Sequence, residues 1–316
     1  MRNPLISVIF TSYNHKSYLK KSLLSVLNQD YSNLEIIVID DNSNDGSQDI
    51  LKKIKKEYPQ IKLILRAQNS GGYVNSLTSG IKYTNGKFLS FIQCDDFISK
   101  SFYSKMIKKI NDFKNIGAVF CRSNIINSKG KKIGDDFLIR EKSFRNYINS
   151  DYKLISGSQM LYFLNYSCIV PNLSGVLFLK KAYLDLNGLD NSFSVVSDWD
   201  FYIRMSSNFN FLYVNKRLNN FRSHVNTIRS KTSGLKILNE IGIMFNNNSS
   251  YYNVKSISFK IRIGSIIFNY LKNDRNISLV SIKTISPSFQ SFFLFPHFYV
   301  LLGSIKFIYE YFNKKK

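Results

Sequence analysis

The chain has 316 residues, 44% of them hydrophobic, and 44 Lys+Arg against 21 Asp+Glu give a net charge of +23. The apolar content excludes global disorder, and the length suits one large domain or one domain with an appendage. The excess of positive charge points to an anionic partner: nucleic acid, a nucleotide diphosphate or an acidic membrane face. Cys94, Cys121 and Cys168 are odd in number and widely spaced. They form no zinc-ligand or disulfide pattern and favour a reducing, cytoplasmic compartment. The apolar run Leu5–Phe10 is too short for a secretory signal, and no clean run of about 18 apolar residues suggests a transmembrane helix. The longest attempt, 289–305, is broken by Pro296 and His297.

In chain order, residues 5–10 (LISVIF) predict a buried strand. Leu19, Leu23, Val26 and Leu27 then recur at helical spacing, with Ser17 placed as a cap. Residues 34–39 (LEIIVI) predict a second strand, followed by DDNSNDGS and a helix that Ser47 would cap. Residues 61–65 predict a third strand, 73–82 a helix and 87–92 a fourth strand that runs into Gln93-Cys94-Asp95-Asp96. A helix over 99–112 and a strand over 116–121 follow. Residues 122–160 read as irregular and polar. A strand over 173–179, a helix entered from 195–205, a short strand over 211–214 and the segment Phe221-Arg222-Ser223-His224 come next.

Alternating strands and helices predict an α/β fold with a mostly parallel sheet and helices on both faces. Right-handed crossovers bring the strand C-termini to one edge, where ligands of such sheets bind. Thr11–Asn14, Asp40–Asn42 and Asp95–Asp96 all fall on that edge. Asp95 and Asp96 could hold a hard divalent cation against a diphosphate, or could simply end a strand. Asp40 and Asp41 could accept hydrogen bonds from a nucleoside, or cap a helix. Asp198 and Asp200 flank the only tryptophan, Trp199. Spaced i, i+2 at a helix start, at most one enters a cleft, as general base or as helix-dipole complement. The sequence contains neither GxGxxG nor a Walker A motif, which disfavours dinucleotide oxidoreductases and P-loop phosphotransferases.

The segment SVIFTSYNHKSYLKKSLLSVLNQDYSNLEIIVIDDNSNDGS resembles the N-terminus of the family 2 glycosyltransferases, which have the GT-A fold. NSGGYVNSLTSGI, GKFLSFIQCDD, SGVLFLKKAYLDLNGLD, SDWDFYIRM and FRSH follow in the family's order, so the resemblance covers roughly residues 4–230. It implies inverting transfer of one sugar from a nucleotide diphosphate-sugar, most simply a UDP-sugar, to an acceptor hydroxyl. It further implies that Thr11 and Tyr13 border the base and that Asp41 accepts a hydrogen bond from it. Asp95 would lie near the ribose or the metal, and Asp96 would bind Mg²⁺ or Mn²⁺ on the diphosphate. Asp198 resembles the catalytic base, and Arg222 and His224 resemble an R-x-H element over the donor phosphates.

The chain departs from the family pattern at Gln93, which stands where the first acid of the metal motif is common, and at Ser197, which precedes Asp198. A Q-x-x-R-W sequence is absent, which argues against a processive synthase. The Gln93 departure leaves open a catalytically degenerate homologue that acts as a partner subunit. A basic nucleic-acid binder would need its lysines in one stripe with stacking aromatics, and here the lysines are dispersed.

Residues 1–230 are expected to form the GT-A domain and 231–316 a C-terminal helical region. The latter holds 12 basic and 3 acidic residues and ends in Lys314-Lys315-Lys316. Its segments 259–272 and 289–312 read either as a helical cap or as interfacial helices on the anionic cytoplasmic leaflet. The second option suits a polyprenyl-diphosphate-linked glycan acceptor in bacterial surface-polysaccharide (O-antigen or capsule) synthesis, with the enzyme peripheral on the inner membrane. No nucleic-acid partner is expected.

Overall fold

The computed structural model of the chain describes residues 3–165, 167–170, 172–252 and 257–273. It opens with β1 (Ile6–Ser12), α1 (Lys16–Leu27), β2 (Leu34–Asp40), α2 (Ser47–Glu57), β3 (Lys62–Leu65), α3 (Tyr73–Ser79) and β4 (Phe88–Gln93). These strands pair in parallel in the order β3-β2-β1-β4. β1, β2 and β4 are mostly apolar and largely buried because both faces of the sheet are covered there, whereas β3 is the part-exposed edge strand. Ile6, Val8 and Phe10 enter one hydrophobic core, and Ile9 enters the other.

The chain continues through β5 (Phe97–Ile98), α4 (Phe102–Ile107), β6 (Ile116–Ile126), β7 (Lys132–Asp135), α5 (Lys142–Tyr147), β8 (Tyr152–Ile155) and α6 (Gly157–Leu164). After these come β9 (Val176–Leu179), α7 (Lys180–Asp185), α8 (Ser197–Ser206), β10 (Asn210–Arg222), α9 (Ile228–Lys231), α10 (Gly234–Asn247) and α11 (Ile257–Asn273). The sheet runs β3-β2-β1-β4-β9-β6-β10-β5, with β7 beside β6 and β8 beside β10. Beyond β4 it is mixed: β9 is antiparallel to β4 and β6, while β10 is parallel to β6. The class is α/β, with the parallel half at the N-terminus and the mixed half completing a GT-A-like sheet.

Several local expectations differ. Ser17 does not cap α1. Asp45, from the turn after β2, accepts the Lys16 N–H at 2.8 Å instead. Asp45 also accepts the Ser47 N–H and hydroxyl, so Ser47 is the first residue of α2 and not its cap. Residues 122–160 are not irregular: they hold the end of β6, then β7, α5, β8 and the start of α6. The short strand expected over 211–214 is part of the 13-residue β10. Its pairing with β6 shifts register between Val214 and Arg217, where Asn215, Lys216 and Arg217 interrupt the apolar pattern.

The helices after residue 233 pack on the body of the domain. Leu238, Met244 and Phe245 of α10 and Ile263 and Ile267 of α11 share a core cluster with Trp199 and Phe201 of α8. For 259–272 this is the packing of a helical cap; segment 289–312 lies outside the described residues. Among the described residues no helix is long and apolar enough to cross a membrane.

Candidate active site

The C-terminal ends of β1, β2 and β4 open on a cleft of about 860 Å³ whose far wall comes from the start of α8, the end of β10 and α9. Asn14 and Asn42, just past β1 and β2, both adopt the left-handed conformation, with φ of 50° and 66°. Asparagine tolerates that region better than most residues. The loops are tied together: the Asn14 N–H donates to Ser43 Oγ at 3.0 Å, and the Asn44 N–H donates to Asn14 Oδ1 at 2.9 Å. Thr11 lines the cleft floor and Tyr13 is an exposed aromatic at its edge.

The two acids after β2 separate in role. Asp40 is fully buried and accepts from the Ser43 N–H and hydroxyl and the Gln48 amide, so it holds the loop. Asp41 lines the cleft. Its carboxylate accepts from the Ser70 N–H at 3.0 Å and the Ser70 hydroxyl at 2.7 Å, and it pairs with Arg66 at 3.1 Å. The turn that brings Ser70 there needs Gly71 at φ +82°, a conformation that side chains rarely adopt.

Asp95 and Asp96 also separate. The two sit in the turn between β4 and β5, closed by the Asp96 N–H donating to the Gln93 carbonyl at 3.1 Å, and that turn leaves Asp95 lining the cleft while Asp96 does not. Asp96 is buried behind the wall, where Oδ1 accepts the Arg222 N–H at 2.8 Å. Burial, reinforced by the neighbouring Asp95 charge, pushes its carboxyl well above the usual range. The expectation that Asp96 faces a diphosphate therefore does not match its position.

Asp95 instead meets two histidines. His224 Nε2 lies 3.2 Å from Asp95 Oδ2, and the His15 and His224 rings are in edge contact at 5.3 Å between centroids. Ligand atoms of His15, Asp95 and His224 all lie within 4.8 Å of one another. Burial lowers the His15 pKa, against the opposing pull of Asp95, which favours the neutral imidazole that binds metals. An imidazole–carboxylate donor set fits a divalent transition ion such as Mn²⁺ better than Mg²⁺, which prefers oxygen ligands.

Arg222 reaches the cleft but its guanidinium is engaged. Nε donates to the Asp95 carbonyl at 2.7 Å, Nη1 donates to the carbonyls of Asn127 and Ser128, and the group stacks 4.3 Å over the Tyr18 ring. It fixes the backbone beneath Asp95 and leaves less of its fork for a phosphate than the R-x-H resemblance implies. Arg229, on α9, lines the cleft and is exposed.

On the acceptor side, Asp198 lines the cleft in the first turn of α8, and its Oδ1 accepts the Trp199 N–H. Burial raises its pKa, with Arg229 as the main opposing influence. Asp200 points away: it pairs with Arg204 at 2.8 Å and accepts from the Asn248 amide at 2.7 Å. Of the two acids around Trp199, Asp198 is thus the one aimed at the cleft. The loop before it is held by Glu240 of α10, which accepts the N–H groups of Ser194, Val195 and Val196. The Trp199 indole donates to the Leu164 carbonyl and its ring meets Phe245 edge-on.

Residues the sequence did not single out are His15, Arg66, Asp136, Arg229 and Glu240. His15 directly follows the Thr11–Asn14 cluster at the end of β1. Asp136 lines the cleft, its carboxylate accepting the Ser123 N–H, and burial pushes its pKa up to about 6.

A family model described as Glycosyl transferase family 2 matches residues 7–166, half of the chain. Three curated relatives share 32–37% identity over 109–126 residues, or 35–43% of their own length, so the chain spans about two fifths of those relatives. Two are Haemophilus influenzae proteins described as uncharacterized glycosyltransferases. The third is the GalNAc(5)-diNAcBac-PP-undecaprenol beta-1,3-glucosyltransferase of Campylobacter jejuni, 32% identical over 34% of this chain. The solved structure of S. aureus TarS 1-349 in complex with UDP-GlcNAc superposes with TM-score 0.64 at 16% identity, covering 91% of this chain and 80% of that one. The mannosyltransferase PcManGT of Pyrobaculum calidifontis, in complex with GDP-Man and Mn²⁺, superposes with TM-score 0.54 at 13% identity, covering 98% and 88%. At these identities the structural likeness speaks for the fold.

Proposed function

Since the chain belongs to glycosyl transferase family 2, we propose that it moves one sugar from a nucleotide diphosphate-sugar to the hydroxyl of a glycan acceptor, with inversion at the anomeric carbon. The observation that carries this reading is the meeting, in one cleft, of the His15–Asp95–His224 cluster and the carboxylate of Asp198. The nucleotide lies over β1 and β2, with its base against Tyr13 and Thr11 and a hydrogen bond to Asp41. A UDP-sugar is the preferred donor, in line with the TarS complex.

His15, Asp95 and His224 would hold the divalent ion, Mn²⁺ in preference to Mg²⁺. When bound, it supplies positive charge that stabilises the departing diphosphate. Asp198 takes the proton of the acceptor hydroxyl as that oxygen bonds to the anomeric carbon. The bond from that carbon to the diphosphate oxygen breaks, and its electron pair leaves with the nucleotide. Glu240 keeps Asp198 in place through the 194–196 backbone, and Arg222 and Asp96 keep Asp95 in place. Trp199 walls off the acceptor side and keeps water away from the reacting carbon.

The acceptor is a lipid-linked glycan of bacterial surface-polysaccharide synthesis, supported by the undecaprenol-linked substrate in the name of the Campylobacter relative. The chain works at the cytoplasmic face of the inner membrane. The test is hydrolysis and binding of UDP-Glc, UDP-Gal, UDP-GlcNAc and UDP-GalNAc with and without Mn²⁺. Metal-dependent turnover of at least one donor is expected, and failure to bind any nucleotide-sugar would refute the reading.

A further inference from the structure

We propose that the outer rim of the cleft, built from the turn at Leu138–Ile139 and the segment 225–231, is a docking surface for an anionic lipid bilayer. The inference rests on the lipid-linked acceptor read above and assigns the surface that would bring the cleft to it. Leu138 is 60% exposed, Ile139 65%, Val225 81% and Ile228 45%. Single exposed aliphatic side chains are ordinary, but here each of the four either lines one cleft or adjoins in sequence a residue that does, which marks a contact surface. Ile139 and Ile228 line that cleft themselves.

Neither segment is loose in a way that would let these side chains turn inward. Phe137 anchors the first, stacking on Tyr213 and packing against Phe144, while Arg140 donates to the Cys168 carbonyl at 2.7 Å. Leu138 and Ile139 are thereby left outside. In the second, Thr227 caps α9 by accepting the Ser230 N–H at 3.0 Å, which fixes Ile228 at the start of the helix.

Charge selects the occupant. Residues 223–236 contain Arg229, Lys231 and Lys236 and no acid. Among the described residues, neither Arg229 nor Lys231 forms a salt bridge. Both are exposed and both line the cleft. Aliphatic side chains that can enter the acyl boundary, flanked by cations at headgroup height, match the interface of an anionic leaflet. A surface lying there would open the cleft toward the membrane, so that a membrane-borne acceptor reaches Asp198 without leaving its lipid.

The test is co-sedimentation of the full chain with phosphatidylcholine vesicles, with and without phosphatidylglycerol. Binding to the anionic vesicles alone is expected, and it should weaken as salt rises. Leu138→Ser with Val225→Ser should reduce that binding on the order of tenfold or more. Neither residue lines the cleft, so UDP-sugar hydrolysis in solution should be unchanged. Arg229→Gln with Lys231→Gln should cost roughly fivefold per charge. Wild-type protein that ignores anionic vesicles, that binds neutral ones equally, or whose serine variant binds as the wild type does would overturn the proposal. Vesicle binding that depends on these side chains in a protein without donor hydrolysis would support the surface and count against the transferase reading.

Discussion

Asp95 and Asp96 are neighbours in sequence, and replacing each by alanine should produce opposite results. Asp96 accepts the buried Arg222 N–H at 2.8 Å. In Asp96→Ala that donor is left without an acceptor, which costs about 1–3 kcal/mol. Loosening of the Arg222 contacts to the Asp95, Asn127 and Ser128 carbonyls adds to the loss. Stability should fall by at least that amount, and Mn²⁺ affinity should fall by about tenfold, as for a group that acts only through a ligand. Asp96→Asn keeps an acceptor at Oδ1 for the Arg222 N–H, so its stability should lie near wild type. Asp95 is part-exposed and bonds His224 in the open cleft. Asp95→Ala should change stability by under about 1 kcal/mol and lower Mn²⁺ affinity by well over tenfold. Urea unfolding and titration calorimetry with Mn²⁺ separate the two. An Asp96→Ala protein of wild-type stability that has lost Mn²⁺, or an Asp95→Ala protein that keeps it, would refute the division of labour.

Asp198→Asn should lower transfer by about 10²–10⁴-fold with donor binding retained, as measured by turnover and nucleotide titration. Because burial raises the Asp198 pKa, the acid limb of wild-type kcat should lie above the ordinary carboxylate range, with activity lost as pH falls through it. Glu240→Ala removes the acceptor of three N–H groups ahead of α8. It should cost a few kcal/mol by urea unfolding and reduce kcat more than donor affinity. The Asp136 carboxyl, raised to about 6 by burial, binds a proton more tightly in the folded than in the unfolded chain. It therefore lowers stability as pH rises from about 4 to 6. Asp136→Asn should flatten that slope and gain up to about 3 kcal/mol at pH 8, as read by unfolding midpoints across pH.

The parallel half of the fold was legible because β1, β2 and β4 are short, mostly apolar runs closed by turn residues, and a strand buried on both faces leaves that signature. β10 was not legible beyond Val214. Its second half carries Asn215, Lys216, Arg217, Asn219 and Asn220, whose polar side chains bond other loops and strands: Asn219 donates to Ser123 and Asn172, and Arg217 pairs with Asp135. Residues 122–160 misled for the same reason, since Asp135 and Asp136 read as loop but are buried at a strand end. At the site, topology placed Asp41 and Asp95 on one sheet edge and the family resemblance added Asp198 and His224, and all four line one cleft. Topology could not say which of two adjacent acids faces inward, since that depends on the conformation of the turn between β4 and β5. Nor could it show that the Arg222 guanidinium serves backbone carbonyls, because those come from residues 95, 127 and 128, distant in sequence.

The most direct measurement is UDP binding by calorimetry to wild type and to the His224→Ala and Asp95→Ala variants, each with Mn²⁺ and with EDTA. UDP should bind wild type much more tightly with Mn²⁺ present, and the variants should lose that gain while keeping the weak metal-free binding. Equal UDP affinity with Mn²⁺ and with EDTA, or variants that retain the Mn²⁺ effect in full, would contradict a metal-assisted nucleotide-sugar site built on His15, Asp95 and His224.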